Sequence, residues 1–113
     1  MKKINLAITG CMGRMGKQII KSAHSNKNFK IIALTENKKI NRKINGVKIA
    51  LNTEQTFKSA NIIIDFTIPK CTLQVLDIAS RLKKRVVIGT TGFTKKEEKK
   101  IKEFSKKIPI LKA

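Results

Sequence analysis

Three glycines spaced three apart, Gly10, Gly13 and Gly16, follow directly on the apolar run Ile4-Asn5-Leu6-Ala7-Ile8-Thr9 and lead into a helix-compatible segment. A strand, a glycine turn and a helix in that order form a backbone that can approach a diphosphate. Gly10 lacks a Cβ and can turn the chain sharply off the strand at positive φ. Gly13 leaves room for a ligand, and Gly16 lets the helix pack close to the strand. The helix start then presents unpaired N–H groups and the positive end of its dipole to phosphate. Glycine triplets also occur in plain turns, so the position after an N-terminal strand is what directs this one toward phosphate. Glu36 stands about 20 residues beyond Gly16, where an acidic side chain accepts hydrogen bonds from an adenosine ribose. In a chain with seven acidic residues, that placement is informative. Asn37, Lys38 and Lys39 follow it, and a cation there suits a ribose 2′-phosphate.

Two further polar groups follow short apolar runs. Asp65-Phe66-Thr67-Ile68-Pro69 succeeds Ile62-Ile63-Ile64, and Gly89-Thr90-Thr91-Gly92-Phe93 succeeds Arg85-Val86-Val87-Ile88. Polar groups at the carboxyl ends of strands lie where open α/β sheets bind ligands. The glycines permit close approach of backbone to a ligand, and the hydroxyls and amides offer hydrogen bonds.

The elements that must position these residues can be read in order. Ile4 to Thr9 is a strand buried on both faces, and Arg14 to about His24 a helix with Met15, Ile19, Ile20 and Ala23 at helical spacing. Ser25 to Asn28 ends that helix, and Phe29 to Thr35 is a second strand. Lys38 to Asn45 reads as a polar loop, Gly46 to Ile49 as a short extended piece, and Thr53 as the N-cap of a brief helix. Ile62 to Ile64 is the fourth strand of this reading. Pro69 fits the first turn of the next helix, which runs to about Lys83 with Leu73, Leu76, Ile78, Ala79 and Leu82 mostly inward. Arg85 to Ile88 is the fifth strand. Thr94 caps a helix from Lys95 to Lys107 whose buried stripe is Ile101 and Phe104, and Pro109-Ile110-Leu111 begins a last strand. Strands alternating with helices predict a Rossmann-like, doubly wound parallel α/β sheet forming one domain over residues 1–113. The three polar loops then converge along one sheet edge, as in a dinucleotide-binding domain.

Composition narrows the functional classes. The 113 residues carry a net charge of +19, which raises nucleic acid and anionic membrane as partners. The basic residues, however, are 22 Lys and four Arg spread over every segment, and only five aromatic residues, all Phe, accompany them. A stacking platform for bases is not indicated, so neither nucleic acid nor membrane is expected as a partner. Cys11 and Cys71 stand apart with no metal-ligand spacing, so no metal site is expected. No apolar run approaches the roughly 20 residues of a membrane span, and no signal peptide is evident. A reducing, cytoplasmic setting is the expectation. His24, the only histidine, falls near a helix C-terminus and reads as a dipole-compatible surface residue.

The combination of G-x-x-G-R-M-G after the first strand, D-F-T-x-P after the fourth and G-T-T-G-F after the fifth resembles the 4-hydroxy-tetrahydrodipicolinate reductase (dihydrodipicolinate reductase) family. The resemblance runs in order along essentially the whole chain. It implies NAD(P)H-dependent reduction of a cyclic dicarboxylate in diaminopimelate and lysine biosynthesis. Carried onto this sequence, it implies that Gly10, Cys11, Met12, Gly13, Arg14 and Met15 cradle the diphosphate and that Glu36 holds the adenosine ribose. It also implies that Phe66 and Thr67 border the cleft and that Gly89, Thr90 and Thr91 meet the nicotinamide end. Ala113 would begin the next cofactor-contacting loop. Family members often carry Arg after the ribose-binding Glu. Here Asn37 stands in that place, leaving NADH and NADPH both open unless Lys38 or Lys39 substitutes. The family's second domain supplies the proton donor, the substrate's carboxylate contacts and most of a homotetramer interface. None of its motifs is present, so no catalytic residue is expected in this chain. The alternatives are a non-catalytic dinucleotide-binding or redox-sensing module of the same fold and, from the charge alone, a basic nucleic-acid-binding protein.

Overall fold

A computed structural model describes residues 3–113. Its organising strand is β1 (Ile4–Thr9), where Leu6, Ala7, Ile8 and Thr9 are all buried because the sheet is covered on both faces there. The chain turns through the glycine loop into α1 (Arg14–His24) and returns as β2 (Phe29–Thr35), parallel to β1. A hairpin of β3 (Lys43–Ile44) and β4 (Val47–Ala50) extends the sheet beyond β2. After α2 (Glu54–Phe57) the chain crosses to the other side of β1 and adds β5 (Ile62–Asp65). Next come α3 (Pro69–Leu82), β6 (Arg85–Ile88), α4 (Lys95–Phe104) and β7 (Ile110–Lys112). Among the described residues the strand order is β3-β4-β2-β1-β5-β6-β7, parallel throughout except at the β3–β4 hairpin. The order reverses between β1 and β5, which is the switch point where such sheets open a crevice.

Two apolar clusters sandwich the sheet. On one face Ile8, Leu34 and Ile49 pack with Ile20 of α1. On the other, Ala7, Ala33, Ile63 and Val86 pack with Phe57 of α2, Val75 and Leu76 of α3, and Ile101 of α4. Neighbouring β1 residues Ala7 and Ile8 thus serve opposite faces, as alternation along a strand requires. This is the Rossmann-like α/β arrangement that the alternation of elements predicts.

Two local expectations are corrected. Lys38 to Asn45 is not all loop, because Lys43–Ile44 pairs antiparallel with Val47–Lys48 around Asn45 and Gly46, both at positive φ (50° and 82°). An Asn-Gly pair of that conformation matches the twist of a tight hairpin. The extra strand makes the Asp65 and Gly89 loops follow the fifth and sixth strands. Secondly, α4 ends at Phe104 rather than Lys107: Ser105 donates its N–H to the Ile101 carbonyl, and turns carry the chain to buried Ile108 before Pro109. A residue preceding proline is disfavoured in the helical region, which helps to stop the helix. The inward face of α3 carries Leu73, Leu76, Ile78, Ala79 and Leu82 against the core as expected, joined by fully buried Thr72 and Val75.

Candidate functional site

The glycine loop is held by backbone geometry. Gly10 adopts φ +66°, and a Cβ there would lie 2.3 Å from the Phe66 carbonyl oxygen. Cys11 donates its N–H to the Thr35 carbonyl at 3.2 Å, and Gly13 donates to the Gly10 carbonyl at 3.0 Å. Gly16 lies against the loop itself: a Cβ would sit 2.2 Å from the Gly10 carbonyl oxygen, so α1 rests directly on the turn it follows. Gly13 is the N-cap of α1, and the nearest atom to a Cβ there would be the Gly10 oxygen at 3.3 Å. No side chain caps α1 and its first turn holds no acid, so its leading N–H groups are left for solvent or a ligand.

Side chains within the loop divide. Cys11 is fully buried among Ile8, Ile20, Leu34 and Ile49, and only its backbone belongs to the turn. Burial first, and then the Glu36 charge, push its thiol up to about 11 from the ordinary 9.0. Met12, Arg14 and Met15 face the cleft described below. Gly16 is buried and lines neither part of it.

Glu36 follows β2 immediately. Its backbone N–H donates to the Ala50 carbonyl at 3.0 Å, and its Oε2 accepts the Met12 N–H at 2.7 Å. The carboxylate is thereby aimed across the glycine loop. A cavity of about 430 Å³ opens here, lined by Gly10, Met12, Gly13, Glu36, Asn37 and Lys38 and closed on the far side by Phe66, Thr67 and Cys71. A second cavity of about 350 Å³ adjoins it, lined by Gly13, Arg14, Met15, Gly89, Thr90 and Thr91. Both share Gly13, Phe66, Thr67 and Ile68, so they form one cleft crossing the carboxyl ends of β2, β1, β5 and β6. The three loops singled out in the sequence therefore converge.

The β6 side is built differently from the β2 side. Gly89 is small because the Phe66 ring fills its place: a Cβ would fall 1.8 Å from Phe66 Cε1. Fully buried Asp65 accepts hydroxyl hydrogen bonds from Thr9, Thr67, Thr72 and Thr90 beneath the loop. No spacing in the sequence marks Thr72 as part of this region, whereas Asp65 carries one local signal, a carboxylate ending an isoleucine run. Ala113 sits at the same sheet edge, donating its N–H to the Ile88 carbonyl at 2.8 Å, but lines neither cavity. Lys39 and His24 also lie outside the cleft lining. Among the described residues no group of three or more His, Cys, Asp or Glu side chains is placed to hold a metal, and no helix is long and apolar enough to cross a membrane.

Residues 4–113 match the family model described as dihydrodipicolinate reductase, N-terminus. The chain belongs to that family. It is 71% identical to the 4-hydroxy-tetrahydrodipicolinate reductase of Pelagibacter ubique (strain HTCC1062), a match spanning all of this chain and 44% of that protein. The reductase of Buchnera aphidicola subsp. Baizongia pistaciae (strain Bp) is 41% identical over 98% of this chain and 46% of its own length. The chain thus spans about half the length of the curated reductases it matches. Among solved structures, a dipicolinate-bound dihydrodipicolinate reductase from Paenisporosarcina sp. TG-14 superposes with a TM-score of 0.76 at 24% identity, covering 91% of this chain and 43% of that one. Homoserine dehydrogenase from S. aureus gives 0.80 at 17% identity over 100% of this chain and 33% of its own. A Rex-family repressor in complex with β-NADH gives 0.76 at 15% identity over 99% and 54%. These likenesses show the fold. Membership of this reductase family supports a pyridine nucleotide as the cofactor of the domain.

Proposed function

We propose that this chain is the NAD(P)H-binding half of a 4-hydroxy-tetrahydrodipicolinate reductase. The observation that carries the reading is the continuity of the cleft from the Glu36 carboxylate, past the uncapped start of α1, to Thr90 and Thr91. The residues present fit a dinucleotide. Glu36 keeps Oε1 free of the Met12 contact and can accept ribose hydroxyls there. The N–H groups at the start of α1, with Arg14 beside them, suit a diphosphate. Gly89, Thr90 and Thr91 then receive the nicotinamide end on the far side of the switch point. Gly10 and Gly16 shape the turn, Cys11 anchors it in the core, and Ala113 stands where the chain leaves β7 beside β6.

When bound, the reduced cofactor supplies hydride to the cyclic dicarboxylate substrate. This chain's residues bind and orient it, while the proton donor and the substrate's carboxylate contacts belong to the portion of the relatives that extends beyond the match. Both NADH and NADPH are accommodated: Glu36 favours a free ribose 2′-hydroxyl, whereas Lys38 on the same cavity wall offers a cation to a 2′-phosphate. A cytoplasmic setting and a homotetramer built through the second domain follow from this assignment. The redox-sensing alternative has no residue in the cleft that favours it over the reductase.

Titration of the chain with NADH and NADPH, wild type against Glu36→Ala, tests the assignment. The variant is expected to weaken NADH binding by roughly tenfold, the loss of one charge-assisted hydrogen bond. Unchanged affinity would remove Glu36 from the site, and failure of the wild type to bind either nucleotide would end the reading.

A further inference from the structure

We propose that Asp65 is a positioning residue that holds the nicotinamide end of the cleft in shape without touching the cofactor; the inference rests on the dinucleotide reading above. Asp65 ends β5 and is fully buried. Its two carboxylate oxygens accept hydroxyls from four separate elements. Oδ1 takes Thr9 from the end of β1 and Thr67 from the β5–α3 loop, the latter at 2.9 Å. Oδ2 takes Thr72 from inside α3 and, at 3.0 Å, Thr90 from the loop after β6. Two donors on each oxygen match the acceptor capacity of a carboxylate. The ion pairs formed among the described residues join Arg81 to Glu54 and Asp77, so hydroxyls rather than a cation satisfy Asp65.

The network has a direction. The single hydroxyl proton of Thr90 is committed to Asp65, which leaves its oxygen to accept the Thr67 N–H at 2.8 Å. Thr67 and Thr90 both line the β6 half of the cleft, so one buried carboxylate sets the separation and orientation of its two walls. The β2 half is tied separately, by Met12 and Glu36. A perturbation at Asp65 therefore acts on the nicotinamide end through both Thr67 and Thr90, and on the Glu36 half only through Thr67, which borders both cavities. A carboxylate serving stability alone would make no such distinction.

The test compares NADH with ADP-ribose, which lacks the nicotinamide, on wild type, Asp65→Asn, Thr72→Val and Thr72→Ser. Asp65→Asn presents an amide donor to hydroxyls that now donate, and Thr72→Val removes one donor at a residue outside the cleft lining. Both are expected to lower NADH affinity, by roughly tenfold and threefold, and to diminish the change in nicotinamide fluorescence on binding. ADP-ribose affinity should stay within about twofold, and Thr72→Ser should restore NADH binding. Equal loss of both ligands, or undiminished NADH affinity and fluorescence change in the variants, overturns the proposal while leaving the dinucleotide reading intact. If Asp65→Asn fails to fold, Thr72→Val and its serine counterpart decide. A wild type that binds neither ligand overturns both the dinucleotide reading and this inference.

Discussion

Two strand-to-helix junctions lie at the same edge of the sheet and solve the same problem in opposite ways. After β6 the chain enters α4 through Thr94, whose hydroxyl accepts the Glu97 N–H at 3.1 Å, while Glu97 Oε1 accepts the Thr94 N–H at 2.8 Å. Glu97 and Glu98 place negative charge in the first turn, where the helix dipole favours it. After β1 the chain enters α1 through Gly13, with no side-chain cap, no acid in the first turn and Arg14 at its start. Helix starts carry the same orphan donors wherever they occur. One junction satisfies them from within; the other leaves them facing a cleft. The contrast locates an anion-binding helix start more sharply than the net charge of +19, which is spread over the whole chain.

The largest effect should come from forcing a side chain into the open junction. Gly16→Ala brings a methyl to 2.2 Å from the Gly10 carbonyl and 2.9 Å from Cys11 Cα, both backbone atoms that cannot step aside cheaply. We expect a loss of roughly 3 kcal/mol in denaturant unfolding, the upper end of the overpacking range. Gly92→Ala, at the closed junction, meets nothing within 4 Å and bears only the strain of φ +86°, about 1–2 kcal/mol. Equal costs at the two sites would mean that Gly16 is not the contact on which α1 rests.

Transplanting a cap should exchange binding for closure. Gly13 has φ −74° and ψ 169°, which any residue adopts, and a Cβ there is crowded only by the Gly10 oxygen at 3.3 Å. Gly13→Asp should therefore fold with stability within about 0.5 kcal/mol of wild type, since Asp is a good N-cap and Gly an acceptable one. NADH affinity should fall by roughly tenfold or more, because a carboxylate now occupies the donors and repels the diphosphate. Retained affinity in isothermal titration would place the phosphates elsewhere. The converse change, Thr94→Ala, should cost about 1 kcal/mol of stability and leave NADH affinity alone.

What sequence reading could reach here follows the range of the interactions. The glycine spacing, Glu36 and the strand ends are local patterns, and each stands where the pattern placed it. The β3–β4 hairpin also had a local signal, the Asn45-Gly46 pair, which the charged run around it obscured. By contrast, Thr9, Thr67, Thr72 and Thr90 meet only because four elements converge on Asp65, and no spacing announces that. Likewise, Gly89 reads as room for a ligand, yet the group that fills the room is the Phe66 ring. Long-range partners of this kind become visible only when the sheet is assembled.

The two cysteines report on the junctions at the finest scale. Cys11 lies inside the open junction but beneath it, and its thiol is pushed up to about 11 by burial and by Glu36. Cys71 sits in the first turn of α3, half-exposed on the cleft wall, and is raised by burial and by the charges of Asp65 and Glu36, against the lowering effect of Lys70. Thiolate is the reactive form, so iodoacetamide at about pH 8 should modify Cys71 slowly and Cys11 only after unfolding. Above about pH 9 the unfolded chain loses the Cys11 proton that the folded chain retains until about 11. The contribution of Cys11 to stability therefore declines across that window, because its unfolded form binds fewer protons there. NADH should protect Cys71 from the reagent, since both compete for one wall of the cleft, and should leave Cys11 as it was. Mass spectrometry of labelled peptides distinguishes the two. Protection of neither residue at saturating NADH would mean that the nucleotide does not cover the Glu36 half of the cleft.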